Sequence, residues 1–243
     1  MFSFIMHCMT PLLDGLGKAL ILIISLNTEL LDIMLLSFAV SCTALFVATA
    51  LGLPCGALIS LKKLPAHGLL ISLMNTFMGL PPVVVGLFLY LLLSRSGPLG
   101  FLGLLYSPSA MIVAQAILAF PIVTALCHSA IVNVDPLIRQ ASLTLGANPL
   151  QVTVTVIKEA RYGIMSGIIA AFGRVMAEVG AILIVGGNIA GYTRVMTTTI
   201  ALETDKGNFE LALALGIILL ALSLIINSML HVVQKKGAVS LQR

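Results

Sequence analysis

The sequence predicts an all-α integral membrane protein with five core transmembrane helices and an N-terminal helix at the membrane interface. Of its 243 residues, 59% are hydrophobic, whereas only 13 are basic and 9 acidic. A soluble domain carries about 25% charged residues, and the mean hydropathy of +1.13 is too high for one. Long charge-free stretches are the third observation, because a spanning helix needs about 20 mostly apolar residues. These features exclude a soluble enzyme, a disordered chain, a coiled coil and a secreted disulfide scaffold.

The predicted spans follow the charge-free stretches in chain order. Lys62 and Lys63 separate the first two stretches, and Arg174 and Glu178 interrupt the fourth. The five predicted spans cover residues 33–61, 66–94, 108–132, 162–185 and 211–233. Segment 12–26 is short and has polar flanks, so we expect it to lie at the membrane interface. The predicted domains are an N-terminal segment (1–29), one membrane domain (30–233) and a cytoplasmic tail (234–243).

The basic residues predict the orientation, because they favour the cytoplasmic side of a membrane. Eight fall on one side of the predicted spans: Lys62, Lys63, Arg139, Lys158, Arg161, Lys235, Lys236 and Arg243. Four fall on the other side: Lys18, Arg95, Arg194 and Lys206. This asymmetry predicts a multi-pass protein of the cell membrane with its N-terminus outside and its C-terminus in the cytoplasm.

Neither a metal site nor a cofactor is predicted. The four cysteines form no CxxC pair, and the four histidines are far apart in the sequence. The N-terminus lacks the basic region of a cleavable signal peptide. In a soluble protein the excess of basic residues would suggest a nucleic-acid partner. Here the basic residues flank the predicted spans and bear on membrane orientation, so no nucleic-acid partner is expected.

Residues 135–159, between the third and fourth predicted spans, carry the clearest local pattern. Asp135 and Pro136 are typical of a helix start, and Gly146 suits the left-handed residue that ends a helix. Asn148-Pro149 then repeats the start signal, and we expect the following β-branched run to be helical. The pattern fits either a simple connector or a short rigid helix that docks into a groove of a partner subunit.

This segment resembles the EAA loop of binding-protein-dependent ABC importer permeases. Gln140-Ala141-Ser142 stands at the Glu-Ala-Ala position, Gly146 at the glycine and Val156 at the isoleucine, whereas Lys158-Glu159 replaces Leu-Pro. Other stretches resemble the molybdate, tungstate and sulfate branch of these permeases: Leu80 to Gly86, Phe120-Pro121, Gly173-Arg174 and Glu178 to Ala181. Residues 178–207 are most similar to the tungstate-type permeases.

The resemblance implies the type I ABC importer permease fold, and a homodimer in the lipid bilayer that works with two cytoplasmic ATPase subunits and an external oxyanion-binding protein. Gly15-Leu16-Gly17-Lys18 lacks the frame of a Walker motif, so the chain itself is not expected to be an enzyme. The residues that the resemblance assigns to ATPase coupling are Leu137, Arg139, Gln140, Ala141, Ser142, Leu145, Gly146 and Ala147.

Arg174 and Glu178 are the charges within a predicted span. Their i, i+4 spacing predicts a pair on one helix face, which would offset the cost of about 2.5–3.5 kcal/mol for a charge at mid-membrane. The pair is either a self-satisfied structural contact or part of a gate at the dimer interface. The candidates for the pathway or its gate are Arg174, Glu178, Asn188, Thr193 and Arg194.

Four further residues are predicted to shape the backbone: Pro81, Pro82, Gly186 and Gly187. The two prolines should break or kink the second span. The glycines either turn the chain at an outer vestibule or expose backbone N–H groups to an anion.

The leading hypothesis is an ATP-driven oxyanion importer with tungstate as its cargo. A molybdate or sulfate permease is the nearest alternative, since discrimination among these anions belongs largely to the binding protein. A passive channel or an ion-coupled carrier is the alternative from another class. A membrane-embedded enzyme fits less well, because no cluster of catalytic groups occurs at membrane depth.

Overall fold

A computed structural model of the chain describes residues 28–61 and 66–240, with side chains up to residue 235, and the isolated positions 17, 21, 24 and 25. The predicted interfacial segment 12–26 therefore lies almost wholly outside the described residues, as do Lys62 and Lys63. The described chain is helical, with ten α-helices: α1 (Thr28–Leu61), α2 (His67–Met78), α3 (Pro82–Leu93), α4 (Pro108–Val132), α5 (Pro136–Thr144), α6 (Pro149–Glu159), α7 (Arg161–Met176), α8 (Gly180–Gly186), α9 (Met196–Asp205) and α10 (Phe209–Ser240).

Three of these helices are by themselves long and apolar enough to cross a membrane. They are α1, α4 and α10, and the pairs α2–α3 and α7–α8 bring the total to five if each pair counts as one broken span. These helices and helix pairs overlap the five predicted spans, because a helix satisfies the backbone groups of such a segment within the bilayer.

Helix α4 is the centre of the bundle and packs against α1, α2, α7 and α8. Its side chains Ala110, Met111, Ala114 and Val123 are fully buried. Helix α10 lies to one side and packs against α7 and α9. The centre of the fold is therefore the third predicted span, with the bent pairs arranged around it.

Glycines let the neighbouring helices approach α4 closely. A Cβ atom at Gly56 of α1 would lie 2.7 Å from the Thr124 carbonyl oxygen, and one at Gly167 of α7 would lie 2.8 Å from Leu126 Cβ. Small residues are common at helix crossings within a bilayer, where close van der Waals packing rather than the hydrophobic effect holds helices together.

The second and fourth predicted spans are both broken. Helices α2 and α3 meet at 96°, and α7 and α8 meet at 58°. The first bend confirms the prediction for Pro81 and Pro82, since neither proline has an N–H to continue the ladder. The second span break was not predicted, because residues 177–179 contain no proline and read as continuous helix.

The two bent spans pack against each other beside their breaks. A Cβ atom at Gly86 of α3 would lie 2.9 Å from Ala181 Cα, and one at Gly180 would lie 2.7 Å from Val83 Cγ2. Helices α3 and α8 thus cross at backbone distance. This crossing therefore places the two span breaks side by side in the bundle.

Candidate functional site

The loop between α4 and α7 forms two short helices that begin with complete caps. The N–H of Leu137 donates to Asp135 Oδ1 at 2.9 Å, and Pro136 occupies the first turn of α5. At the start of α6, Gln151 N–H donates to Asn148 Oδ1 and Asn148 N–H donates to Gln151 Oε1, both at 2.8 Å. This reciprocal capping box satisfies two N–H groups that a helix start leaves free.

Gly146 separates the two helices in the way its sequence position predicts. Its φ is +81°, its N–H donates to the Leu143 carbonyl, and the Ala147 N–H donates to the Ser142 carbonyl. These two bonds form a Schellman motif, which favours glycine because other residues are strained at positive φ. A Cβ atom here would meet no atom within 4 Å, so the requirement is conformational rather than steric.

The apolar face of α5 has no partner within the described chain. Leu137 is 66% exposed and Leu145 is 87% exposed, and Gln140 and Ala141 between them are also exposed. Single exposed leucines are common at protein surfaces, but here they lie on a helix that is capped at both ends. The result is a preformed, mostly apolar surface, which we call the α5 face (Leu137, Gln140, Ala141 and Leu145).

Helix α6 fixes this face to the membrane domain. Val152 and Val156 are buried in the same core cluster as Ile164 of α7. The structure explains why the departure from Leu-Pro at Lys158-Glu159 is tolerated: both residues are exposed, while Val156, at the isoleucine position, makes the buried contact.

Arg174 and Glu178 do not form the predicted ion pair. Helix α7 ends at Met176, so the two residues do not share one helix face, and no N···O contact within 4.0 Å joins them in the part of the chain that the structure describes. Arg174 is exposed whereas Glu178 is only 5% exposed. The i, i+4 interpretation is wrong because it assumed an unbroken helix.

Glu178 instead stabilises the break between α7 and α8. Its Oε1 accepts a hydrogen bond from the Ala181 N–H at 3.2 Å, and its backbone carbonyl accepts one from Thr197 Oγ1 at 2.8 Å. The carboxylate thus satisfies a free N–H at the start of α8. Arg174 and Glu178 still line one small cleft, together with Leu80 from the other break.

Gln115 is a residue of this region that the sequence reasoning missed. It lies in the middle of α4, is 1% exposed, and donates to Ser41 Oγ at 3.3 Å and to the Val175 carbonyl at 3.2 Å. Its Oε1 has no partner. The available signal was the side-chain amide itself, which is conspicuous in the apolar segment 108–132 because a buried amide needs partners.

Asn188 and Thr193 lie in a hydrogen-bonded turn that follows α8. Thr193 Oγ1 donates to the Gly186 carbonyl at 2.6 Å and accepts from the Ile189 N–H at 2.9 Å. Asn188 Oδ1 accepts from Thr198 Oγ1 at 2.9 Å. These side chains use their hydrogen-bonding groups to hold the turn on α9, so they are separate from the cleft that Arg174 lines.

Gly186 and Gly187 are required where this turn approaches α4. A Cβ atom at Gly186 would lie 2.9 Å from Met111 Sδ, and one at Gly187 would lie 2.7 Å from the Tyr106 ring; Gly187 also has a φ of +70°. The two glycines therefore allow both a close approach and a turn.

Arg194 lies at the end of the turn, beside an acidic and basic cluster. Its Nη1 is 3.8 Å from Glu29 Oε1, and its Nε is buried without a hydrogen-bond partner. Nearby, hydrogen bonds from Lys206 and Asn208 hold the pKa of the Glu203 carboxyl below its ordinary value. The guanidinium thus faces carboxylates within the chain.

Two histidines that are far apart in the sequence meet in the structure. The ring centroids of His67 and His128 are 5.9 Å apart, and Ser60 Oγ lies 2.8 Å from His128 Nδ1. Among the described residues, no group of three or more His, Cys, Asp or Glu side chains could hold a metal ion. This cluster joins the ends of α1, α2 and α4.

Comparison with known proteins adds relatives that cover most of the chain. The tungstate uptake system permease protein TupB of Peptoclostridium acidaminophilum is 39% identical over 92% of this chain and 98% of its own length. A probable anion ABC transporter permease protein of Haloferax volcanii is 43% identical over 83% of this chain and 89% of its own. The molybdenum transport system permease protein ModB of Escherichia coli (strain K12) is 32% identical over 79% and 88%.

A solved structure has the same fold. It is an inward-facing conformation of the MetNI methionine ABC transporter, with a TM-score of 0.70 and 16% identity over 87% of this chain and 97% of that one. Residues 48–237 match the model of the family described as the binding-protein-dependent transport system inner membrane component. The chain belongs to this family of ABC importer permeases.

Proposed function

We propose that this chain is the membrane subunit of an ATP-driven importer of a tetrahedral oxyanion, tungstate, and that it works as a homodimer with two ATPase subunits and an external binding protein. The observation that carries the proposal is the α5 face, a rigid apolar surface presented between two spans by a loop with the EAA pattern. The helix caps and the Schellman turn make the loop rigid, which supports a role in transmitting movement between subunits rather than only connecting two spans.

Coupling follows from how α6 is anchored. The exposed Leu137 and Leu145 dock on the ATPase, while the buried Val152 and Val156 transmit any displacement to α7. When ATP binding brings the two ATPase subunits together, the loops move with them, and the bent α7–α8 span changes its tilt. On the proposed orientation this loop and the C-terminus are cytoplasmic.

The pathway lies along the face of the bundle that carries Arg174. An exposed guanidinium in a spanning helix costs about 2.5–3.5 kcal/mol if it faces lipid, so a second copy of the chain covers it. Arg174 of each copy then faces the pathway and attracts a dianion, while the buried Glu178 beside it weakens that attraction. Weak binding is what conduction requires.

Tungstate is proposed as the cargo because the named tungstate relative is matched almost end to end at 39% identity, against 32% for the named molybdenum relative. Both anions are tetrahedral dianions, and so is sulfate. The permease contributes a path for this charge and shape, and the binding protein selects among the three.

Uptake into proteoliposomes tests the proposal. The full complex with its binding protein is supplied with tungstate, molybdate or sulfate, with and without ATP, and the lumen is assayed by elemental analysis. We expect ATP-dependent accumulation of tungstate. Preferential uptake of molybdate or sulfate would show that this anion, rather than tungstate, is the cargo. ATP-independent flux through the permease alone would favour a channel or an ion-coupled carrier.

A further inference from the structure

A groove separates the last turns of α1 from the two loop helices. It has a cavity volume of about 350 Å³. Its walls include Leu58 and Leu61 of α1, Arg139 and Leu143 of α5, and Val152 and Thr153 of α6. The groove therefore opens where the helix that contains the first predicted span ends and the loop begins.

The groove and the α5 face lie on different sides of α5. An α-helix turns about 100° per residue, so Arg139 points about 160° away from both Leu137 and Ala141. A protein docked on the α5 face would leave the groove side of the same helix uncovered. A molecule other than the protein docked on the α5 face could therefore bind in the groove.

The groove carries one positive charge, and its other walls are apolar apart from Thr153. Arg139 is exposed and makes no ion pair or hydrogen bond in the ranges that the structure describes. No acidic residue is among the described residues that line the groove. An apolar wall beside an unpaired guanidinium matches a molecule with a hydrocarbon chain and an anionic head.

We propose that the groove binds an anionic phospholipid, with its phosphate on Arg139 and an acyl chain against Leu58 and Leu61. Basic pockets at the ends of spanning helices favour such headgroups, and each basic residue near the surface strengthens the attraction. The lipid would wedge α5 against α1 and so set the height of the α5 face relative to the membrane domain. The site therefore gives Arg139 a lipid contact in place of the ATPase contact that the resemblance implies, and it does not involve the cargo.

Native mass spectrometry of the purified full chain tests this site. The detergent-solubilised protein is titrated with dioleoyl phosphatidylglycerol or, as the zwitterionic reference, dioleoyl phosphatidylcholine. We expect Arg139→Gln to weaken phosphatidylglycerol binding about fivefold, the effect of one basic residue. Leu58→Trp, which fills the groove and leaves the charge in place, should also displace the lipid.

Arg161→Gln is the matched control, because Arg161 lies outside the groove with its guanidinium 4.8 Å from the Tyr162 ring centroid. It should bind phosphatidylglycerol as the wild type does, and phosphatidylcholine binding should be unchanged in all three variants, which also shows that they are folded. Equal losses for Arg139→Gln and Arg161→Gln would overturn the site. So would unchanged binding in Leu58→Trp, or displacement of the lipid when the ATPase is added, which would assign the groove to the protein partner.

Discussion

The loop of residues 135–159 and the two span breaks are held in place by different means. Each cap of the loop joins residues within five positions of one another, as in the Asn148–Gln151 box. At the breaks, the contacts reach across the sequence: Gln115 bonds the Val175 carbonyl, and Thr197 bonds the Glu178 carbonyl. Local contacts thus shape the two helices of the loop, and Val152 and Val156 anchor the loop to the membrane domain. The long-range contacts make the breaks depend on the whole bundle.

This difference predicts where substitutions act. Changes in the loop should leave the membrane domain folded and alter how it communicates with a partner. Changes at the breaks should destabilise the bundle itself, because several spans share each contact.

The largest effect is expected at the crossing of the bent spans. Gly86→Val places side-chain atoms where a Cβ would already lie 2.9 Å from Ala181 Cα, and the backbone cannot move aside cheaply. Overpacking costs about 1–3 kcal/mol, or roughly 2–12 °C in the midpoint of thermal unfolding. Gly216→Val is the control, since a Cβ there meets nothing within 4 Å. Equal midpoints of thermal unfolding for the two variants would contradict the close packing of α3 against α8.

A second effect at the breaks comes from the buried amide of α4. Gln115→Leu leaves the Ser41 hydroxyl and the Val175 carbonyl without this donor, at a cost of about 1–3 kcal/mol. The free energy of unfolding in the single and double variants with Ser41→Ala measures the coupling between the two residues. Strictly additive losses would mean that the Gln115–Ser41 contact contributes nothing.

In the loop, Gly146→Val strains a residue at positive φ by about 1–2 kcal/mol. The strain falls on the Schellman turn, so we expect cargo-stimulated ATP hydrolysis by the complex to fall while the thermal midpoint of the permease stays near that of the wild type. Gly146→Asn, which tolerates the left-handed region, should retain most of the coupling. A fall in the midpoint as large as that of Gly86→Val would erase the distinction between the two regions.

The smallest effect is expected at the start of α6. Asn148→Ala removes the capping box at a cost of about 1 kcal/mol, which should appear as faster amide hydrogen exchange in the first turn of α6. Thr155→Ala, an exposed position whose hydroxyl bonds only the Gln151 carbonyl, should leave that turn unchanged. Faster exchange across α7 as well would show that the loop is not an independent unit.

The same contrast explains what could be predicted from the sequence. Asp135-Pro136, Gly146 and Asn148-Pro149 encode the loop through neighbours in the chain, so its two helices were predicted correctly. Pro81-Pro82 likewise encodes the first break. The second break has only a weak local signal, a glutamate three residues before the Ala181 N–H that it caps; the contact from Thr197 that holds the Glu178 carbonyl comes from another helix. The Arg174–Glu178 pairing failed for that reason, and Gln115 was missed because its partners lie on two other helices.

The central claim is that the α5 face carries the coupling to the ATPase. The most direct test is tungstate-stimulated ATP hydrolysis by the assembled importer with Leu145→Asp, which puts a charge on its most exposed leucine, and with Asn133→Asp, an exposed control outside the face. We predict a loss of at least about tenfold for Leu145→Asp, the factor that 1.4 kcal/mol of lost docking energy produces, and wild-type activity for Asn133→Asp. Wild-type stimulation in Leu145→Asp would contradict the account.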